Sequence, residues 1–287
     1  MLEMLISPKK AEREPWELFF IGLFYASISI ILTNWVFGND VLSSYSGILV
    51  VTFTVMFSMP FVYYIIRLEE EKSSEISGAF NRIKAHRKAI WAFLWLFVGF
   101  VIAYSFWYIV LPDTGNFVPQ IETYCAINRP GNINECVAQY GVRDAPSIPT
   151  QFASSSRDRF FLITTNNIYV LIFTLVFSLI FGAGVIFILA WNASVIAAAI
   201  GIFTRSSLEN IPAALLRYFI HGIPEIAAYF IAALAGGIIS IAVIRRDIET
   251  EKFWEILQDS LNLIIIATVI IFLAALLEVF VTPLFFS

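Results

Sequence analysis

Two patterns place ionisable side chains inside stretches that are otherwise apolar. His221 and Glu225 lie within residues 218–244, and Glu278 lies within residues 261–283. An ionisable group in hydrocarbon costs about 2.5–3.5 kcal/mol or more, so such groups normally face protein or a water-filled cavity. Four residues make about one helical turn, so His221 and Glu225 share a helix face. The sequence therefore predicts that these groups face other helices and not lipid.

Three kinds of chemistry are open to one imidazole and two carboxylates. In a polar clasp, hydrogen bonds between helices would contribute only about 0.6–2 kcal/mol. In a functional cavity, the groups would bind a proton, an ion or a lipid head group. In a catalytic site, they would hold a divalent metal that activates water. That last alternative lacks a second nearby histidine, since His86 lies in a connecting segment, and the chain has no H-E-x-x-H pattern. We assign no catalytic residue, metal or cofactor, and expect a protein that is not an enzyme.

The composition around these residues is that of a membrane protein. Of the 287 residues, 59% are hydrophobic and only 14% are charged, whereas about a quarter of a soluble domain is charged. The mean hydropathy is +0.80 and the net charge is −4. These values exclude a soluble enzyme, a disordered protein and a nucleic-acid binder. They leave a polytopic membrane protein, whose first partner is the lipid bilayer.

The apolar stretches predict the number of membrane spans, since a spanning helix needs about 20 mostly apolar residues. A shorter stretch, 191–203, fits a short tilted span or a re-entrant hairpin, and residues 247–260 fit a short interfacial helix. Six stretches have full length: 17–37, 47–66, 89–111, 163–190, 218–244 and 261–283. We therefore expect an all-α helical bundle with about seven transmembrane helices, one of them short.

The positions of lysine and arginine predict the orientation of the chain. Basic residues cluster before the first span, between the second and third, and after the sixth. If 191–203 is a span, all three clusters lie on one side, which is then the cytoplasm. We predict a multi-pass protein of the cell membrane with a cytoplasmic N-terminus and an external C-terminus. A re-entrant 191–203 would move the third cluster outside.

The segments between the spans suggest two parts. Residues 1–88 form an N-terminal two-helix addition with a cytoplasmic connection, and residues 89–287 form the main membrane domain. Its external loop, 112–160, contains Cys125 and Cys136. An oxidising exterior allows a disulfide there, which would stabilise the loop by about 3 kcal/mol, and the alternative is two free thiols. This loop is the expected docking surface for other envelope proteins.

The direction of each span predicts the depth of the polar residues. The sixth span runs inward and the seventh runs outward, so His221, Glu225 and Glu278 all lie toward the outer leaflet. Asn166 and Asn167 open the fourth span from outside. We call these five residues the polar cluster, and we expect it at one level of the bilayer.

The polar face of the sixth span continues into small residues. Small side chains one turn apart let a neighbouring helix approach closely. This helix-packing face, within the chain or between copies in a homo-oligomer, consists of Ala228, Ala232, Gly236 and Ser240.

The same residues carry a family resemblance. The run H-G-I-P-E-I-A-A at 221–228 resembles the signature helix of the stage II sporulation protein M family, a group of bacterial and archaeal integral membrane proteins. Residues 274–283 are similar to its closing E-x-x-x-T-P segment, and 166–167 to its paired asparagines. The resemblance covers about residues 90–287. It departs at 192–193, which read Asn-Ala where the family usually has Asn-Gly.

The resemblance implies a role without enzyme activity. The sporulation member is similar to a membrane scaffold that recruits cell-wall hydrolases. The leading hypothesis is therefore a non-catalytic scaffold or assembly protein of the cell envelope. The alternative is a transporter or lipid-handling protein that uses the polar cluster as a protonatable site, and a third is an intramembrane metalloenzyme. A transporter needs a water-accessible cavity that reaches the carboxylates, whereas a scaffold needs only dry, paired polar groups.

Overall fold

A computed structural model shows how the chain folds, and every regular element that it describes is helical. The predicted all-α class is confirmed. The described residues are 14–38, 40–73, 84, 87–111, 115–128, 132–140, 155–181, 185–204, 209, 211–244 and 250–285.

Seven of the described helices are long and apolar enough to cross a membrane, which confirms the polytopic bundle. In chain order the α-helices are α1 (Glu17–Phe37), α2 (Ser46–Ser73), α3 (Arg87–Val110), α4 (Val118–Asn128), α5 (Ile133–Tyr140), α6 (Ser156–Phe181), α7 (Val185–Thr204), α8 (Ile211–Ile244), α9 (Glu251–Leu276) and α10 (Thr282–Phe285). The short α4 and α5 lie between spans, and a π-helical turn, Leu277–Val281, joins α9 to α10.

The fifth span is a full-length helix, so the predicted short segment 191–203 is wrong in its extent. α6 ends at Phe181 and α7 begins at Val185, so residues 185–190 belong to α7 and not to the span predicted at 163–190. The 20 residues of α7 suffice to cross a bilayer. The apolar run continues across this junction, which is why hydropathy alone did not locate it. The glycines of the junction, 182 and 184, lie outside the described residues.

The last span also begins earlier than predicted. The helix is continuous from Glu251, so residues 251–260 form its first turns and not a separate interfacial helix. The interfacial prediction was wrong because acidic residues interrupt the hydropathy there without interrupting the helix. Its remaining residues, 247–249, lie outside the described part.

The bundle is centred on α7 and α8, the two most enclosed spans together with α3. Along α7, Ala193, Ala197 and Ala198 are fully buried, because small side chains let α3 and α8 pack close to it. α8 also packs against α6 and α9, while α1 packs mainly on α3. The first two helices therefore lie directly on the remainder of the bundle.

The closest approach of α1 and α3 is at two glycines that the sequence analysis did not consider. A Cβ atom on Gly99 would overlap the carbonyl oxygen of Phe19 and lie 3.1 Å from the Cα atom of Gly22. Only a residue without a side chain fits between two backbones at this distance.

We expect Gly99→Ala to lower the free energy of unfolding by about 1–3 kcal/mol, because the two helices must move apart to admit the methyl group. The control is Gly237→Ala, whose Cβ would meet only the Ser178 hydroxyl, at 3.7 Å, among the described residues. Denaturant titration of both variants in micelles measures the difference. Equal stability of the two variants would contradict the tight crossing.

The loop between α3 and α6 is partly folded against the bundle. A disulfide joins Cys125 of α4 to Cys136 of α5. Ile121 and Val137 are fully buried, and the Gln120 Nε2 atom donates to the carbonyl oxygen of Gly47 at the start of α2, 3.0 Å away. The loop is therefore an ordered cap on one end of the bundle, which we call the loop side.

The orientation of the bundle remains a prediction. Half of the basic residues that predict it, among them Lys9, Arg82 and Arg245, lie outside the described residues. Alternation of seven spans nevertheless fixes relative directions: α6 and α8 begin on the loop side, and α9 ends there.

Candidate functional site

Asn167 and Glu225 join α6 to α8 near the loop side. The Asn167 Nδ2 atom donates to the Glu225 Oε1 atom over 2.6 Å, and Asn167 is buried. A short hydrogen bond to a carboxylate oxygen is stronger than one between neutral groups. Asn166 is exposed, and its Nδ2 atom reaches only the Asn167 Oδ1 atom, at 3.4 Å. Of the paired asparagines, the second therefore connects the helices.

His221 of α8 and Glu278 of the last span lie next to each other. The His221 Nε2 atom lies 3.9 Å from the Glu278 Oε2 atom, longer than a direct hydrogen bond. The His221 Nδ1 atom is buried without a hydrogen-bond partner among the described residues. An unpaired buried polar atom costs about 1–3 kcal/mol, so this nitrogen is an unused hydrogen-bonding position.

Glu278 lies in the π-helical turn Leu277–Val281, where both the backbone N–H and the hydroxyl of Thr282 donate to the Leu277 carbonyl oxygen. Pro283 explains the wider turn, because its ring crowds the carbonyl four residues earlier, that of Val279. π-helical turns are frequent at functional sites. Sequence reasoning missed the turn, although Pro283 signalled an irregular helix end.

The two carboxylates are close enough to interact electrostatically with each other. Arg159 and Arg217 act as opposing charges on Glu278. Both lie toward the loop side, and the Arg217 guanidinium carbon lies 5.6 Å from the centre of the Phe203 ring, a cation–π distance. The acids therefore lie deeper than the arginines.

A cavity of about 710 Å³ reaches the polar cluster. Its size is within the range of small-molecule sites. Its wall includes His221, Glu225, Glu278, Asn166 and Asn167, so all five residues of the polar cluster line one space. Further lining residues come from α6 and α7, among them Phe161, Leu162, Tyr169, Asn192, Val195 and Ala199.

The folded loop closes this cavity at one end, which the sequence did not predict. Tyr124 and Ala126, either side of Cys125, are part of the cavity wall. The side chains of Tyr124 and Tyr218 share a hydrogen bond. The position of Tyr124 next to the disulfide was the only sequence signal. The loop thus contributes to the site.

The predicted helix-packing face lies against α6. Ala228 and Ala232 are fully buried, and a Cβ atom on Gly236 would lie 2.7 Å from the carbonyl oxygen of Leu175. Ser240 is half-buried, and the Ser178 Oγ atom donates to the Ala233 carbonyl oxygen over 2.5 Å. This close contact holds α6 and α8 together below the polar cluster.

The chemistry of the site follows from its groups. Carboxylates accept hydrogen bonds or exchange protons, and a neutral imidazole accepts one hydrogen bond and donates another. Within the described residues, no group of three or more His, Cys, Asp or Glu side chains is arranged to hold a metal ion. The arrangement is suited to binding a ligand through charge and hydrogen bonds or to carrying a proton.

Comparison with known proteins gives the following matches. The family described as Stage II sporulation protein M matches residues 91–283. An uncharacterized protein of Methanocaldococcus jannaschii is 34% identical over 126 residues, which cover 42% of this chain and 69% of that protein. No solved structure matches the chain.

Proposed function

This chain belongs to the stage II sporulation protein M family, and from that premise we propose that it is a transport or lipid-handling protein that binds its ligand in the cavity of the polar cluster. The observation that supports this most is the cavity itself, which reaches His221, Glu225 and Glu278. Ionisable groups within membrane-spanning helices commonly mark ligand or ion sites and proton relays.

The geometry argues against a purely structural clasp. A purely structural clasp would pair its polar atoms directly, as Asn167 and Glu225 do with their 2.6 Å bond, and would enclose no cavity. The His221–Glu278 pair instead leaves 3.9 Å between its atoms and faces the cavity. On the orientation predicted from the basic residues, this cavity opens in the outer leaflet.

Labelling of an introduced thiol tests whether the cavity is accessible. The chain has two cysteines and they are joined to each other, so an introduced cysteine is the sole free thiol. Val195 lines the cavity, and Val→Cys changes its size little. We expect Val195→Cys to react with a water-soluble methanethiosulfonate reagent in the folded protein, because water reaches the cavity.

The matched control is Val101→Cys, because Val101 is fully buried in α3. It should react only after unfolding. If the thiol at position 195 is as unreactive as the one at 101, the site is dry and the proposed function is wrong.

The scaffold hypothesis is the second candidate, and the ordered loop supports it. α5 turns Ile133 and Val137 inward while Asn134, Glu135 and Ala138 are exposed. A folded, disulfide-linked polar surface of this kind suits docking of another envelope protein. An unreactive thiol at position 195 would favour this candidate, since a scaffold requires no open cavity.

A further inference from the structure

The geometry points to the chemical class of the ligand: the cavity takes an ammonium group, carried by an amphiphile that enters from the bilayer between α6 and α7. This inference deepens the proposed function and rests on it. It combines the charge of the cavity, its carboxylate acceptors and its open side.

The ionisable groups of the cavity wall are mainly acidic. They are Asp158, Glu225, Glu278 and His221, and no lysine or arginine is among the described lining residues. Glu225 and Glu278 lie inside the spanning helices, where water screens charge weakly. A cation bound beside these carboxylates favours their ionised forms, whereas an anion would oppose ionisation.

The acceptors of the cavity match an ammonium group. Such a group has three N–H donors. The carboxylates of Glu225 and Glu278 line the cavity and can accept these hydrogen bonds. Tyr124 and Tyr218 are also part of the cavity wall, and aromatic rings can make cation–π contacts with an ammonium group.

The arginines near the site do not reverse this preference. Arg159 and Arg217 act on Glu278, and Arg217 also acts on His221. Neither is part of the cavity wall, and Arg217 lies over the Phe203 ring. The ionisable groups that contact a ligand in the cavity are therefore the acidic residues and His221, and not the arginines.

The open side of the cavity faces lipid. Phe161 and Tyr169 of α6 line the cavity and yet are 54% and 68% exposed on the outside of the bundle. On a spanning helix, this exposed face lies against acyl chains. α6 also packs far less on α7 than on α8. The wall of the cavity therefore continues into the lipid-facing surface, as entry of an amphiphile requires.

Charge selectivity of thiol labelling tests the inference on the full-length protein. The probes are a trimethylammonium methanethiosulfonate and a sulfonate methanethiosulfonate, and exposed Ala138→Cys on α5 supplies their reference rate ratio. At Val195→Cys we expect the ratio of cationic to anionic rates to exceed the reference by about tenfold, because an acidic cleft concentrates cations. Adding Glu225→Gln and Glu278→Gln should return the ratio to the reference.

Each outcome separates the two proposals. Failure of both probes to react at position 195 overturns the proposed function and the inference with it. Reaction of both probes at the reference ratio, or a preference for the sulfonate, overturns the ammonium assignment and leaves the cavity in place.

Protection experiments identify the source of the ammonium group. The Val195→Cys protein is placed in phosphatidylglycerol vesicles, with or without phosphatidylethanolamine, and separately with soluble ethanolamine. Slower labelling with phosphatidylethanolamine alone supports entry from the bilayer. Slower labelling with soluble ethanolamine alone supports the ammonium assignment but overturns entry from the bilayer. Unchanged labelling in both arms overturns the assignment.

Discussion

The Cys125→Ala, Cys136→Ala double variant should have a free energy of unfolding about 3 kcal/mol lower than that of the oxidised wild type. A disulfide that closes a loop of this size stabilises the fold by about that amount, because it lowers the conformational entropy of the unfolded chain. Both cysteines are fully buried, and they join α4 to α5. The loss should be concentrated in the loop, because both cysteines lie within it, 11 residues apart.

Denaturant titration in micelles measures the total loss, and hydrogen exchange at residues 118–140 locates it. Reductant is the control, because it should lower the stability of the wild type and leave the alanine variant unchanged. Unaltered stability together with unaltered exchange in the loop would show that the loop is held by other contacts.

We expect Asn167→Ala to lower the free energy of unfolding by about 2 kcal/mol, since it removes an interhelical hydrogen bond and leaves the Glu225 carboxylate without that donor. The bond is short, at 2.6 Å, and Asn167 is buried. Asn166→Ala is the matched control because Asn166 is exposed, and it should change stability by less than about 0.5 kcal/mol. Equal effects of the two substitutions would argue against the Asn167–Glu225 bond.

Hydropathy was sufficient to predict the class of fold and the number of spans, because each helix must satisfy its backbone within an apolar environment. It could not place the junction between α6 and α7. Phe181 and Val185 belong to one uninterrupted apolar run, although they end one helix and begin the next. Where hydropathy is uniform, only contacts between helices decide where a helix ends.

Spacing along one helix predicted part of the site. The four-residue separation places His221 and Glu225 on the same face, and both line the cavity. Their partners come from other helices: Asn167 for Glu225 and Glu278 for His221. The pairing depends on helix rotation and depth, which a hydropathy pattern does not encode.

The loop and the tight helix crossing required three-dimensional information. Tyr124 reaches the cavity only because α4 docks on the bundle, and its position beside Cys125 does not by itself indicate that contact. Gly22 and Gly99 had a readable signal, since each is a glycine within a bulky apolar helix. Their contact is nevertheless between helices far apart in sequence.

The central claim is that polar side chains from separate spans meet at one site, and a double-mutant cycle between Asn167 and Glu225 tests it most directly. Asn167→Ala and Glu225→Ala should show a coupling energy of about 1–2 kcal/mol in denaturant titrations. The control pairs Asn167→Ala with Ser260→Ala, about 27 Å along the last helix from Glu278, and should be additive. A coupling energy near zero, with both single variants destabilised, would contradict the convergence of α6 and α8 at the cavity.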